Sequence, residues 1–301
     1  MRIGIFGGVV NTGTIDDMVD TVREAEAAGF ASYWEPNIFG HDALTSLAIA
    51  AREVPRIALG TAVVPTYPRH PAAIAQQAGT VNAISGGRLT LGIGLSHQIV
   101  IEGMYGMDYS KPLRHMREYL SVLLPLSRGE QVNFDGEEYH AHVGLAAKGA
   151  LPYGVVLAAL GPKMLELAGT VADGTLTWCT GPETLRTYVL PTINAAAEQA
   201  GRAVPRVIAG LGVAVTSDVE VTRERAAKVF AVYGTLPSYR SMLDREGATT
   251  AADVMIIGSA QQVADTLGEL AEMGVTDFAA VEVAVNDDDR AATRDVLTAF
   301  L

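Results

Sequence analysis

The chain has 301 residues, 49% of them hydrophobic, so it can bury a large core as one barrel or as two smaller domains. Its formal net charge is −12, from 34 acidic and 22 basic residues, which argues against a surface for nucleic acid or an anionic membrane. The single cysteine, Cys179, excludes an internal disulfide framework and a zinc site built from several cysteines.

The start of the chain predicts a cytoplasmic protein. An apolar run at residues 3–6 follows the first two residues directly, without the charged leader and apolar stretch of a signal peptide. No segment approaches the ~20 apolar residues that cross a bilayer. One cysteine also suits a reducing compartment.

Short strand-like runs alternate with helical patterns along nearly the whole chain, which predicts parallel βα units. The predicted strands lie at residues 3–6, 32–34, 57–59, within 85–97, 155–158, 174–178, 207–215 and 277–283. The predicted helices lie at residues 15–28, 43–54, 72–84, 112–126, 162–171, 182–200, 219–233 and 259–273, and a last one begins at Asp287.

Eight such units favour an α/β fold of the (βα)8 TIM-barrel type as a single domain over residues 1–301. Asp135-Gly136 predicts a tight turn, so residues 130–142 read as a hairpin within an insertion of about 130–150 after the fourth unit. Residues 235–258 read as an irregular segment. A doubly wound open sheet is the rival fold, but residues 4–8 lack the Gly-x-Gly-x-x-Gly dinucleotide fingerprint.

Two consecutive strand ends carry polar groups. The third strand is followed by residues 60–71, a turn rich in proline. The fourth strand ends in closely spaced glycines, and Ser96 and His97 follow it. Because the carboxyl ends of barrel strands open on the same face, a ligand site is expected there.

The pieces of the chain, in their order, resemble the bacterial luciferase-like superfamily, in its branch of coenzyme F420-dependent oxidoreductases. The resemblance rests on Ser32-Tyr-Trp, on the turn at residues 67–71, on the Ser-Gly-Gly-Arg run within 85–94, on Leu160-Gly-Pro and on residues 258–278. It covers nearly the whole chain. Arg-His-Pro followed by Ser-Gly-Gly-Arg is the most specific part.

The resemblance implies a binding site for the deazaflavin ring of coenzyme F420. In that branch a non-prolyl cis peptide after the third strand supports the ring, and the alignment puts it at Ala62-Val63. Relatives carry cofactor contacts at the positions of Ser96 and His97. Many relatives also have an aspartate where this chain has Asn37, which can contact the ring but cannot hold a negative charge.

The phosphate-bearing tail is expected across the barrel. Two strand-to-helix junctions place glycine before proline, which leaves helix N–H groups free for an anion. By resemblance, Leu160 and Gly161 offer backbone contacts at the first junction, and Thr180 offers a hydroxyl beside Gly181 at the second.

His97 is the candidate proton donor, because the ordinary pKa of histidine lies near neutrality. The alternative is that this loop histidine lines the cofactor pocket without donating a proton. None of the other histidines shows metal-ligand spacing, so no metal is expected. Arg69 and His70 are expected to hold the turn after the third strand, with Arg69 paired to a carboxylate.

The leading hypothesis is an enzyme that moves a hydride between coenzyme F420 and a small organic molecule, at an activated C=C or C=N bond or between alcohol and ketone. The alternatives are an FMN-dependent luciferase-like monooxygenase and, from another class, a non-catalytic barrel that only binds a flavin or deazaflavin. A sugar-phosphate isomerase is disfavoured, since no glutamate and histidine pair suits enolisation. Expected partners are the small-molecule substrate and a second copy of the chain, with no nucleic acid and no membrane.

Overall fold

The computed structural model describes residues 1–8 and 12–301, and in these ranges eight parallel strands close into a barrel. Going around the barrel they are β1 (Arg2–Phe6), β2 (Ser32–Glu35), β3 (Ala58–Thr61), β5 (Leu89–Gly94), β8 (Gly154–Leu157), β9 (Gly174–Trp178), β10 (Arg206–Val215) and β12 (Asp277–Glu282). Strand β12 pairs with both β10 and β1, which completes the ring. The predicted (βα)8 barrel is confirmed.

Helices cover the outside of the barrel. They are α1 (Ile15–Ala27), α2 (Ala43–Glu53), α3 (Pro71–Ser85), α4 (Gln98–Ile101), α5 (Pro112–Ser127), α6 (Pro162–Val171), α7 (Pro182–Thr184), α8 (Leu190–Gln199), α9 (Val219–Val229), α10 (Pro237–Glu246), α11 (Ala260–Met273) and α12 (Asp287–Thr298). A π-helical turn, Leu185–Val189, joins α7 to α8, and 3-10 turns occupy Ala231–Gly234 and Ala251–Val254.

Most strand residues are apolar on both faces, as expected for a parallel sheet buried between two layers. Trp34, Val156, Leu176, Ile208 and Ala279 pack together in one cluster inside the barrel. The opposite strand faces pack against the helices in a single large core. The barrel interior is therefore filled, and a ligand has access only at its ends.

The predicted hairpin is confirmed as β6 (Val132–Asp135) paired antiparallel with β7 (His140–Val143). Residues 235–258, which the sequence indicates as an irregular and in part helical segment, contain three short regular elements. This segment contains α10, the second 3-10 turn and β11 (Ile256–Gly258), which extends the sheet along β10. Helix α10 is mostly polar, since only its Met242 and Leu243 are buried, so its sequence shows no clear apolar face.

Candidate functional site at the barrel mouth

The carboxyl ends of the strands define the barrel mouth. An apolar surface formed by residues of β1 and of the segment after β3 lies at its base. The Ala62-Val63 peptide is cis, at the predicted position, and the next two residues form β4 (Val64–Pro65), which pairs with the end of β5. Ala62 and Val63 are half-buried and, with Phe6, lie against the interior cluster. We call these three residues the floor.

Two glycines of β5 make room for the floor. A Cβ on Gly92 would lie 2.0 Å from the Thr61 carbonyl oxygen, and one on Gly94 would lie 2.7 Å from Val63 Cγ2. Neither contact is possible, so the backbone at Thr61 and the Val63 side chain require glycine at both positions.

The turn behind the floor is pinned to the helices around it. Arg69 pairs with Asp42 at 2.6 Å, as expected from the sequence. The His70 side chain caps α3. Thr66 Oγ1 hydrogen-bonds to Nε2 of the buried His115 at 2.8 Å. These contacts fix the floor from outside the barrel.

Ser96 and His97 lie at the end of β5, as predicted. Ser96 has a left-handed backbone (φ 60°), and its carbonyl oxygen accepts a hydrogen bond from Tyr109 Oη at 3.4 Å. His97 is half-buried, and its ring centroid lies 5.6 Å from that of Tyr239 in α10. Burial lowers the pKa of His97, so its imidazole is neutral at pH 7.

A chain of aromatic rings runs from the floor to His97, and we call it the aromatic wall. Phe6 contacts Trp178 at the end of β9 at 5.5 Å between centroids. Trp178 contacts Phe230 (5.5 Å) and Tyr233 (5.7 Å), and Tyr233 contacts Tyr239 at 5.0 Å. The residues from Phe230 to Tyr239 therefore cover one side of the mouth.

The first predicted binding position for the phosphate-bearing tail, at the start of α6, is accessible. Gly161 is exposed at the start of α6, without a side-chain cap, and a Cβ there would meet nothing within 4 Å. The Leu160 carbonyl oxygen accepts a hydrogen bond from Tyr188 Oη at 3.0 Å. Lys163, in the first turn of α6, pairs with Glu166 at 2.9 Å. Pro162 has no N–H and the Met164 N–H donates to the Gly161 carbonyl oxygen at 3.1 Å, so the Lys163 N–H is the donor that the first turn of α6 offers to an anion.

The second predicted binding position for the tail, at the start of α7, is occupied by a side chain of the protein. The Glu246 carboxylate, at the end of α10, accepts hydrogen bonds from the Glu183 N–H (3.1 Å), the Thr184 N–H (2.8 Å) and Thr184 Oγ1 (2.5 Å). Gly181 is buried against this carboxylate, and a Cβ on it would lie 2.3 Å from Glu246 Cδ.

Two of the predicted contacts use their polar atoms locally. The buried Thr180 hydroxyl donates to the Trp178 carbonyl oxygen at 3.3 Å, two residues back. Asn37 Oδ1 accepts from the Ala43 N–H at 3.1 Å, at the start of α2. The structure thus brings Ala62, Val63, Ser96 and His97 to the mouth, whereas Thr180 is buried and Gly181 lies against the Glu246 carboxylate.

Sequence reasoning missed Glu35, the last residue of β2. Its carboxyl is fully buried, Oε2 accepts a 2.6 Å hydrogen bond from Tyr33 Oη, and Oε1 has no hydrogen-bond partner in the part of the chain that the structure describes. Burial raises the pKa of the Glu35 carboxyl to about 8. Its backbone carbonyl oxygen accepts a hydrogen bond from the Ala62 N–H at 2.8 Å, so the end of β2 is joined to the floor through the main chain.

The floor and the wall fit a flat, largely apolar ring system, with the floor on one face and aromatic side chains at the edge. The start of α6 suits an anionic tail, whereas the start of α7 does not, because Glu246 occupies it. Within residues 1–8 and 12–301, no group of three or more histidine, cysteine or acidic side chains is arranged to hold a metal ion. In the same ranges no helix is both long and apolar enough to cross a membrane.

A (βα)8 barrel with its candidate site at the mouth is the architecture of many families of barrel enzymes, and comparison with known proteins narrows the choice of family. The family model of luciferase-like monooxygenases matches residues 1–277. A 5,10-methylenetetrahydromethanopterin reductase of Methanolobus tindarius is 31% identical over 78% of this chain and 72% of its own length. The chain therefore belongs to the luciferase-like family, as the sequence resemblance indicated.

Two further comparisons agree with this assignment. A Mycobacterium tuberculosis protein, provisionally named a coenzyme F420-dependent oxidoreductase, is 29% identical over 93% of this chain and 84% of its own length. The solved coenzyme F420-dependent tetrahydromethanopterin reductase of Methanopyrus kandleri superposes with a TM-score of 0.81 over 98% of this chain and 97% of its own, at 22% identity. At that identity the superposition shows the fold alone. The relatives together support classing this protein as an oxidoreductase.

Proposed function

We propose that the protein is a coenzyme F420-dependent oxidoreductase that transfers a hydride between the deazaflavin and a small organic substrate, at an activated C=C or C=N bond or between an alcohol and a ketone. The observation that carries the proposal is the apolar floor bordered by the aromatic wall, because a flat tricyclic ring can pack against such surfaces. Support comes from the relatives named for coenzyme F420 and for a reductase activity.

Each part of the site has a role in this proposal. Coenzyme F420, when bound, supplies the carbon that carries the hydride. Ala62, Val63 and Phe6 support one face of the ring, and the aromatic wall excludes water from its edge. The start of α6 at Gly161 holds the anionic tail.

Two side chains are candidates for holding the proton that accompanies the hydride. Glu35 is protonated at pH 7 but buried beside Tyr33, whereas His97 lies at the mouth and is neutral. A neutral imidazole donates poorly as an acid, so the rate of substrate reduction through His97 rises as the pH falls toward its pKa.

The direct test is a titration of the purified protein with coenzyme F420 and with FMN, followed by the quenching of tryptophan fluorescence. Coenzyme F420 is expected to bind at least about tenfold more tightly, a difference of about 1.4 kcal/mol. Tighter binding of FMN would favour the flavin-dependent monooxygenase instead. Bound coenzyme F420 that no enone, imine or alcohol oxidises or reduces would favour the non-catalytic barrel.

A glycine variant tests the place of binding. Gly94→Ala puts a methyl group 2.7 Å from Val63 Cγ2 and so displaces the floor. It is expected to weaken coenzyme F420 binding by about tenfold or more. The matched control is Gly268→Ala in α11, where a Cβ meets nothing within 4 Å. Equal affinities of the two variants would place the ring elsewhere.

A further inference from the structure

A second group of rings, outside the aromatic wall, lies behind the floor and begins at a predicted cofactor contact. Tyr109, whose hydroxyl donates to the Ser96 carbonyl oxygen, stacks on Tyr67 with 5.2 Å between the ring centroids. Tyr67 stacks on the buried His115 at 3.8 Å, and the planes of these two rings are 8° apart. The Ser96 turn is therefore connected to His115 through two stacked rings.

The same imidazole holds the segment that follows the floor. His115 Nε2 hydrogen-bonds at 2.8 Å to the side chain of Thr66, which is fully buried three residues after Val63. The Thr66 N–H donates to the Gly94 carbonyl oxygen at 2.9 Å, which ties this segment to the end of β5. One ring therefore contacts both segments that carry predicted ring contacts, the floor and the Ser96 turn.

The hairpin of β6 and β7 supplies the other partner of this imidazole. Tyr139 Oη, in the turn between the two strands, hydrogen-bonds to His115 Nδ1 at 3.3 Å. The Glu118 carboxylate accepts hydrogen bonds from the N–H groups of residues 137–139 (3.1, 2.7 and 3.1 Å), which fastens this turn to α5. Burial lowers the pKa of His115 to about 4, so at pH 7 the ring has one N–H and one lone pair, enough for a bond to each hydroxyl.

We propose that His115 is a positioning residue for the ring site, and that the hairpin, through Tyr139, keeps His115 where it holds the floor and the Ser96 turn together. This inference rests on the proposed function, because it concerns the affinity of that site for the deazaflavin ring. A flat ring binds more weakly between surfaces that are free to move, since binding must then also order them. The hairpin thus contributes to coenzyme affinity through His115.

The same substitution at two neighbouring tyrosines tests the inference. Tyr139→Phe removes the hydroxyl that is bonded to His115. Tyr119→Phe, the matched control, removes a buried hydroxyl that has no partner in the described part of the chain, although its ring also lies 5.7 Å from that of His115. Titration followed by tryptophan quenching is expected to show coenzyme F420 affinity at least about fivefold lower in Tyr139→Phe and within about twofold of the parent in Tyr119→Phe. Equal affinities of the two variants overturn the inference, and urea unfolding confirms that both fold.

A double-mutant cycle tests whether His115 couples the two ring contacts. Thr66→Val removes the bond between the floor segment and His115, and Tyr109→Phe removes the bond to the Ser96 carbonyl oxygen but keeps its ring in the stack. The combined effect on coenzyme F420 affinity is expected to differ from the product of the single effects by at least about threefold, and to equal that product in a His115→Phe background. Effects that multiply in the parent protein would show that His115 has only a stabilising role, and they overturn the inference.

Hydrogen exchange in the coenzyme-free protein distinguishes failure of this inference from failure of the proposed function. The Ala62 and Thr66 N–H groups donate to carbonyl oxygens of β2 and β5, and their exchange is expected to be at least about threefold faster in Tyr139→Phe than in Tyr119→Phe. Such a difference in a protein that does not bind coenzyme F420 counts against the function alone. Tight binding of coenzyme F420 with equal exchange and equal affinity in the two variants counts against the inference alone.

Discussion

Glu35 is the most unusual ionisable residue in this barrel. Its carboxyl is fully buried at the end of β2, and one of its two oxygens has no partner in the described ranges. An ionised carboxylate in such a place is unfavourable, which is why its pKa rises to about 8. The folded protein therefore keeps a proton that the unfolded chain releases near the ordinary value for glutamate.

This difference predicts a pH dependence of stability. Between about pH 4.5 and about pH 8 the folded state holds more protons than the unfolded state at this site, so the Glu35 contribution makes the free energy of unfolding fall as pH rises. The slope is at most about 1.4 kcal/mol per pH unit. Glu35→Gln should remove this component, and urea unfolding at pH 5, 6.5 and 8 measures it.

The exposed Glu102→Gln is the matched control and should leave the slope as in the parent protein. If Glu35→Gln and the parent protein lose stability in parallel over this pH range, the Glu35 carboxyl is ionised in the folded state and the assignment is wrong.

The limit of sequence reasoning is clearest at such residues. The end of the third strand, Ser96 and His97 could be assigned to the barrel mouth from the sequence, because the carboxyl ends of barrel strands converge there. The partner of Gly181 could not be placed, because Glu246 lies 65 positions away in a helix whose sequence lacks a clear apolar pattern. Glu35 could have been flagged as an acidic residue ending a buried strand, but its depth depends on packing around Tyr33 and Gly7.

At the scale of elements, Arg88 connects three parts of the barrel. Its guanidinium donates to the carbonyl oxygens of Ser85 (2.7 Å), Ile57 (2.6 Å) and Ala51 (3.0 Å), at the end of α3, just before β3 and in α2. The Ser-Gly-Gly-Arg run noted in the sequence thus has a structural role at the barrel end opposite the mouth.

Arg88→Lys is expected to lower the free energy of unfolding by about 2 kcal/mol, because one ammonium group cannot reach all three carbonyls. Chemical denaturation measures the change, and Arg117→Lys on the exposed face of α5 is the control. Coenzyme affinity should stay near that of the parent protein, since the mouth lies at the other end of the strands. A variant as stable as the parent would show that water replaces these contacts at no cost.

At the scale of the molecule, a buried acidic residue helps to close the barrel. Asp277 begins β12 and pairs with Arg2 of β1 at 2.7 Å and with Arg206 of β10 at 2.9 Å, while Thr276 Oγ1 donates to it at 2.7 Å. The residues are on the three strands where the first and last parts of the chain meet. The hydrogen bonds and positive charges hold the pKa of Asp277 below its usual value.

Asp277→Asn should therefore cost about 2–3 kcal/mol of stability at pH 7, because it leaves two arginines without their partner. The cost should shrink as pH falls, since the stabilisation by the ionised Asp277 is present above the ordinary pKa of aspartate and is lost as pH falls through its lowered pKa in the folded protein. Urea unfolding at pH 6 and pH 3.5 measures both values. The exposed Asp265→Asn is the control, and a penalty that stays constant with pH would show that the charge is not the cause.

The only thiol of the chain, that of Cys179, is buried directly after Trp178, with 1% of its surface exposed. A bulky alkylating reagent cannot reach its sulfur while the neighbouring rings stay packed. The rate at which the Cys179 thiol is alkylated therefore measures how often the packing on this side of the mouth opens. The protein needs no introduced label for this measurement, because it has one thiol.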